Sequence, residues 1–259
     1  MSTIKITDAM VTDGVPTAYG ADTVSFENVT VPIVFGYERS DNVFLFAPPG
    51  TSDPALNGDS FVANTLVLTN GDDVFGNVED QSAQAIYGGG GNDIIATSAY
   101  RGGERLEGGT GNDILYGNSA GRETLLGGSG SDELHVHGAD KATGGAGADK
   151  FIFEATDYLG GNSFLGSAFI CDLQTTGPDR DVIDISGPLN RAGYHYASFT
   201  EAQAAGTVGV SYLHGYTYLS FDSNADHVPD QEFAHIKGVI LPDILDQTIL
   251  VAPETDLLV

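Results

Sequence analysis

Large apolar residues stand at Ile95, Leu115, Leu134 and Phe151, each two positions after an aspartate, while Phe75, Ile86, Leu106 and Leu125 fit the same inward role. The residues between them are mostly glycine, asparagine, aspartate and small polar types, which favour turns. This pattern predicts short strands, each carrying one inward apolar side chain, separated by tight turns. Parallel stacking of such units, about 4.8 Å apart, would line the apolar residues up as ladders in one interior.

The turns repeat as well as the strands. "GGGGNDII" at Gly88 returns as "GGTGNDIL" at Gly108, "GGSGSDEL" at Gly127 and "GGAGADKF" at Gly144, with a weaker copy, "TNGDDVF", ending on Asp73 and Phe75. Each full copy fits G-G-x-G-x-D-x-U, where U is large and apolar. The acids Asp73, Asp93, Asp113, Asp132 and Asp149 are separated by 20, 20, 19 and 17 residues. A shorter period lies within those steps. Nine residues before Asp113, Asp132 and Asp149 stand Glu104, Glu123 and Asp140, each with a glycine two positions earlier (Gly102, Gly121, Gly138). The unit is therefore nine residues, one turn plus one short strand, and two units return the chain to its starting side. Insertions and deletions fall in the other half-turn.

Glycine is entropically costly to order, so its concentration beside a carboxylate calls for a physical cause. Glycine lets a turn adopt backbone conformations barred to other residues and brings carbonyl groups close together. An aspartate beside those carbonyls completes a hard, all-oxygen environment suited to Ca²⁺. Charge supports this direction: ten Lys and Arg against 36 Asp and Glu leave −26. Such a surface repels nucleic acid and anionic membranes, so neither is expected as a partner. Cys171 is the one cysteine, which excludes an intrachain disulfide and a cysteine metal cluster. "MSTIKITDAM" lacks the basic and apolar regions of a secretory signal peptide. No unbroken apolar run is long enough to span a bilayer, so no membrane insertion is expected.

The repeats resemble the RTX (repeats-in-toxin, hemolysin-type) nonapeptide family, whose parallel β-roll binds calcium between coils. That resemblance implies an all-β fold: a roll over residues 66–155, an N-terminal β-rich cap or degenerate coils over 1–65, and a C-terminal β-rich module over 156–259. It also implies ligand sets, each drawn from two successive loops. One site takes Gly89, Gly91 and Asp93 with Gly108, Thr110 and Asp113. The next takes Gly109, Gly111 and Asp113 with Gly127, Ser129 and Asp132. A third takes Gly128, Gly130 and Asp132 with Gly144, Ala146 and Asp149. A fourth is expected between Asp73 and Asp93, using Gly71, Gly88 and Gly90, although Thr69 replaces a motif glycine there. Three to four Ca²⁺ ions follow. On the opposite side the glycine framework is incomplete, and Arg105, Arg122 and Lys141 adjoin Glu104, Glu123 and Asp140; salt-bridged, ion-free turns are expected there, with weak calcium sites as the alternative.

The resemblance continues past the glycines. "ICDLQTTGPDRDVIDIS", Ile170 to Ser186, and "GYTYLSFDSNADHVPDQEFAHIKGV" are similar to segments that follow the roll in type I secreted RTX proteins, and "ETDLLV" is similar to the end of serralysin-type proteases. This implies a C-terminal secretion signal at Asp256, Leu257, Leu258 and Val259, read by an ABC exporter, and an extracellular or cell-surface location. With free calcium about tenfold above Kd, each ion would add ~1.4 kcal/mol to folding. Three or four ions would then supply ~4–6 kcal/mol, comparable with a whole domain's stability. The chain would stay open in calcium-poor cytosol and fold outside. In "DSNADHVPD", Asp222, Asn224, Asp226 and Asp230 alternate like a calcium loop, but His227 and Phe233 occupy positions where an EF-hand needs glycine and glutamate; a polar hairpin turn is the competing reading.

No catalytic constellation is legible. "GNSAG" around Ser119 matches a nucleophile-elbow string, but that motif requires a strand-to-helix turn. His135 and His137 flank Val136 on an outward face, and no H-E-x-x-H occurs. "NVT" at Asn28 has the form of a sequon. Residues 1–65, with "ADTVSFENVTVPIVFGY" and "DNVFLFAPPG", read as β-strands. The expected function is a non-enzymatic, calcium-folded surface for adhesion, matrix binding or signalling, with a polysaccharide, matrix or cell surface as partner. The alternatives are a targeting module or small form of an extracellular hydrolase or polysaccharide-modifying enzyme, and a structural protein of a surface layer or biofilm.

Overall fold

The computed structural model describes residues 2–7, 10, 18–21, 23–27, 29, 34–38, 43–47, 59–62, 65–76, 85–96, 103–118, 122–154, 166–222, 226–229 and 231–251, with backbone alone for 18–20, 34–38, 43–47 and 59–62. Two stacks of parallel strands face each other. The longer sheet runs Thr3–Lys5, Thr23–Ser25, Thr65–Val67, Ala85–Gly90, Arg105–Thr110, Thr124–Ser129, Lys141–Ala146 and Ala168–Ile170. The shorter sheet runs Val74–Phe75, Ile94–Ala96, Ile114–Tyr116, Glu133–Val136, Lys150–Phe153, Val182–Asp184 and Ile249–Leu250. The chain alternates between them, one strand in each per coil. This is the parallel β-roll expected of a nine-residue unit.

Register follows the repeat. Ile95 pairs with Leu115, Leu115 with Leu134, and Leu134 with Phe151. Across the core, Leu66, Ile86, Leu106, Leu125 and Ala142 pair in succession. All of these side chains are fully buried. Because strand side chains alternate between faces, the ladder residue of each strand fills the interior while its immediate neighbours face outward, and Val136 and Phe153 add a second inward residue to their strands. Strand spacing then stacks like upon like, so a single ladder carries much of the core.

Parallel stacking continues beyond the last glycine loop. Ala168–Ile170 pairs with Lys141–Ala146, and Gln231–Lys237 pairs parallel to Ala168–Ile170. From there the longer sheet turns antiparallel through Tyr216–Phe221 to Val208–Leu213. Three short helices, Ser186–Arg191, Phe199–Ala204 and Pro242–Thr248, interrupt this β-rich region. Local sequence accounts for two of their starts. Ser198, the N-cap, accepts the Glu201 N–H at 3.1 Å, while Glu201 reaches back to accept the N–H of Ala197, one residue before the cap, at 2.8 Å. Pro242 opens the third helix, where its missing N–H costs nothing. At the other end, Thr3–Lys5 and Thr23–Ser25 add two parallel strands to the longer sheet. A separate mixed sheet holds Ala18–Gly20, Asp59–Val62, Val43–Ala47 and Val34–Glu38.

Leu115→Ala leaves a void between Ile95 and Leu134 in the middle of a ladder. Its expected cost is about 2–5 kcal/mol of stability, read as a lowered urea midpoint.

Candidate metal centre

Every glycine loop crosses between the sheets in three residues. Arg105–Thr110 ends one residue before Gly111, and Ile114 opens the facing strand just after Asp113. So tight a crossing needs the left-handed backbone, and Gly109 and Gly111 lie at φ +116° and +123°. Space makes the same demand. A Cβ on Gly109 would stand 2.2 Å from the Gly89 carbonyl oxygen, and one on Gly111 would stand 1.9 Å from that of Gly91. The carbonyls at motif positions two and four therefore face the next coil. From that coil, the Gly108 oxygen would lie 2.4 Å from a Cβ on Gly88, and the Thr110 oxygen accepts the Gly91 N–H at 2.9 Å. The gap between coils is lined by carbonyls from both sides.

The aspartates form a ladder along these gaps. The Asp73 N–H donates to Asp93 Oδ1, Asp93 to Asp113, and Asp113 to Asp132, each at 2.8 Å. Asp132 donates to Asp149 and Asp149 to Asp181, each at 3.0 Å. One oxygen of each carboxylate is thus fixed by the preceding coil. The other is not: Oδ2 of Asp93, Asp113, Asp132 and Asp149 is buried and receives no donor. The residues themselves are at most 2% exposed. A buried anionic oxygen without a partner is expensive, and here four recur along one line. Each also faces the first glycine of its own loop, where a Cβ would lie within 2.3 Å of it. Carbonyl-lined gaps with an orphaned carboxylate oxygen fit a hard cation such as Ca²⁺. Among the described residues no three His, Cys, Asp or Glu side chains converge on one point, so such an ion takes most of its ligands from backbone carbonyls.

Burial dominates the electrostatics. It raises Asp93 and Asp132 to about 7, opposed by the backbone hydrogen bond each receives and reinforced by neighbouring carboxylates. Asp113 and Asp149 are raised by the same burial. The weak copy differs. Asp73 Oδ2 accepts both the N–H and the hydroxyl of Thr69, each at 2.8 Å, and the first motif position is Leu68, a core residue.

On the opposite side of the roll a second acid ladder is buried. The Glu123 N–H donates to Asp140 Oδ1 and the His137 N–H to Asp140 Oδ2, both at 2.9 Å. Burial raises Glu123, and the neighbouring Asp140 raises it further. The expected salt bridge between Glu104 and Arg105 gives way to another. Adjacent strand residues face opposite ways, so Glu104 is buried while the Arg105 guanidinium lies outside, 2.6 Å from Glu107 and over the Tyr87 ring. Gly102, Gly121 and Ser119 lie outside the described residues.

Residues 85–99, 98–134 and 118–151 match the family model of the RTX calcium-binding nonapeptide repeat, in four copies. These coils are RTX repeats. Among solved structures the chain is similar to the solution structure of the AlgE6R3 subunit from the Azotobacter vinelandii mannuronan C5-epimerase. That match has 23% identity over 73% of this chain and 82% of that one, with a TM-score of 0.32. No curated protein matches the sequence significantly.

Away from the RTX coils, Asp222 Oδ2 accepts the His227 N–H at 2.8 Å and Asp226 Oδ1 the Val228 N–H at 2.9 Å. Asn224 and Asp230 lie outside the described residues, as do Asn28 and Asp256 to Val259. His135 faces outward, stacked on Tyr116 and 2.6 Å from Glu154. One ladder member escapes the glycine motif. Asp181 keeps only the acid and the apolar residue two places on, Ile183, and stands 32 residues after Asp149. That D-x-U remnant is the sequence signal for it.

The carboxylate shifts set a pH dependence. Native pKa values near 7 exceed the unfolded value of about 3.9, so between those limits the native state binds more protons than the unfolded one. Their contribution to metal-free stability is then fully present below about pH 4 and is lost as pH rises through 7. Chain freed of metal is expected to gain β signal in circular dichroism as pH falls from 8 to 5. Asp93→Asn combined with Asp132→Asn should flatten that response.

Proposed function

We propose that the chain is a secreted RTX protein that folds on binding Ca²⁺ outside the cell after type I export. The observation that carries this reading is the row of orphaned, buried Asp oxygens, each set in a gap lined by carbonyls. Each of these carboxylates that is ionised opposes closure of the roll; a divalent cation in each gap reverses the sign. Three gaps have glycine loops on both sides, between Asp93 and Asp113, Asp113 and Asp132, and Asp132 and Asp149. In calcium-poor cytosol the acid ladders repel, which keeps the chain open for an ABC exporter that reads its C-terminal residues.

The surface offered to an extracellular polysaccharide, matrix or cell surface is the outer face of the longer sheet. There Phe169, Tyr216, Tyr218 and His235 form a run of ring contacts, with centroids 5.5 Å apart for Phe169–Tyr216, 6.4 Å for Tyr216–Tyr218 and 4.6 Å for Tyr218–His235. Lys141, Arg105 and Lys237 stand in the same outward rows. On that face Glu107 pairs with Arg105 and Glu232 with His235.

Circular dichroism of metal-free protein at pH 7.5, titrated with Ca²⁺ and separately with Mg²⁺, tests the switch. A cooperative gain of β signal with Ca²⁺ alone is expected, because Mg²⁺ keeps its water and demands a tighter octahedron. Asp113→Asn, which touches two gaps, should raise the calcium midpoint about tenfold or more, as each lost ion removes ~1.4 kcal/mol at tenfold excess. Full β structure in chelator, unchanged by calcium, would refute the proposal.

A further inference from the structure

The aspartate ladder is longer than the glycine motif, and its two ends differ. At the N-terminal end the gap between Asp73 and Asp93 is already filled by the protein. Thr69 supplies two donors to Asp73 Oδ2. Leu68 occupies the first loop position, where in the glycine loops a Cβ would crowd the carboxylate at 2.1–2.3 Å. Asp73 is therefore the one ladder carboxylate among Asp73, Asp93, Asp113, Asp132 and Asp149 whose Oδ2 is satisfied without an ion. Thr69 acts as a built-in stopper.

The C-terminal end is open in the opposite sense. Asp149 is 2% exposed, its Oδ2 receives no donor, and that oxygen would lie 2.2 Å from a Cβ on Gly144. Asp132 Oδ2 stands 2.3 Å from the corresponding point on Gly127. Gly145 and Gly147, at φ +109° and +127°, repeat the conformations that turn the carbonyls of earlier loops toward the following coil. Across the gap Asp181 replaces the next motif aspartate: its Oδ1 accepts the Asp149 N–H at 3.0 Å, and it is itself 2% exposed. The strands behind it keep register, Phe151 on Ile183 as Leu134 on Phe151. Asp172, two residues past the Ile170 that pairs with Ala142, accepts the N–H groups of Gly144 and Gly145 from the following coil at 3.0 Å each. Asp181 Oδ2 and the Gln174 carbonyl are tied to each other's backbone, through the Gln174 N–H at 2.6 Å and the Asp181 N–H at 2.8 Å. These bonds brace Asp181 without covering Asp149 Oδ2.

The geometry points to a further calcium site between Asp149 and Asp181, formed by the last glycine loop and a motif-free coil, and to no ion between Asp73 and Asp93. This rests on the calcium reading above and places its fourth ion at the C-terminal end of the ladder. The site joins the glycine repeats to the C-terminal coils, so calcium would lock that junction as well as the loops.

Calcium stoichiometry by equilibrium dialysis tests the placement on the full chain. Wild type should hold four ions, Asp181→Asn three, and Asp73→Asn four, since Asn at 181 keeps an acceptor for the Asp149 N–H. Asp73→Asn at three with Asp181→Asn at four would overturn the placement while leaving the calcium reading intact. Wild type that binds no calcium would fail both. If Asp181→Asn does not fold, a crystal of wild type grown in calcium decides: electron density for an ion between Asp149 and Asp181 supports the site, and an ion between Asp73 and Asp93 with none at Asp181 overturns it.

Discussion

One interaction governs this roll, the hydrogen bond from each ladder aspartate's N–H to Oδ1 of the aspartate one coil further on. It fixes the carboxylate's orientation and so decides where its second oxygen points. Five such bonds run from Asp73 to Asp181 in steps of one coil. Their consequence is a file of buried oxygens with nothing to accept from. In a medium of low polarity each unpaired carboxylate costs several kcal/mol unless it is protonated or paired with a cation. The fold is thereby tied to what the solvent can supply.

The hydrophobic ladders cannot do this work alone. Within the repeat coils most of the short strands bury one large side chain, and only Glu133–Val136 and Lys150–Phe153 bury two, so the core is narrow for its length. Its advantage is repetition: Ile95, Leu115, Leu134, Phe151 and Ile183 stack without a break, and each coil nucleates the next as in other solenoids. The carboxylate ladder acts along the same axis with the opposite sign until charge is neutralised. Cooperative closure follows from setting these two ladders in parallel, because each gap is flanked by the coils whose apolar residues it brings together.

The two sides of the roll treat their acids differently. On the glycine side, carbonyls crowd the gap and the carboxylates face them. On the other side, Glu123 and Asp140 are held against each other, with Asp140 spending both oxygens on backbone N–H groups. Such a pair retains a proton more readily than it releases one, since two charges in that space would repel. The outward row of Asp72, Asn92, Asn112 and Ser131 adds a third device: the Asp72, Asn92 and Asn112 side chains accept the N–H of Asn92, Asn112 and Ser131 at 2.6–2.8 Å. It knits the exposed shoulder of the turns together without adding charge inside.

The sequence by itself determined the roll and its glycine loops, because a nine-residue repeat with one apolar position per strand has few other ways to bury that position. The left-handed glycines and the inward Asp-x-Ile pattern were equally legible, being local requirements of one turn. What only the tertiary structure decided lies at the ends and on the reverse side. That Thr69 satisfies Asp73, that Arg105 turns away to Glu107, and that Asp181 completes the ladder across 32 residues all depend on which coil stacks against which. The sequence between Asp149 and Asp181 holds no copy of the G-G-x-G-x-D motif, so no spacing rule reaches across it. Strand pairing brings Ile183 onto Phe151, and the acid two residues before Ile183 is carried into line with it.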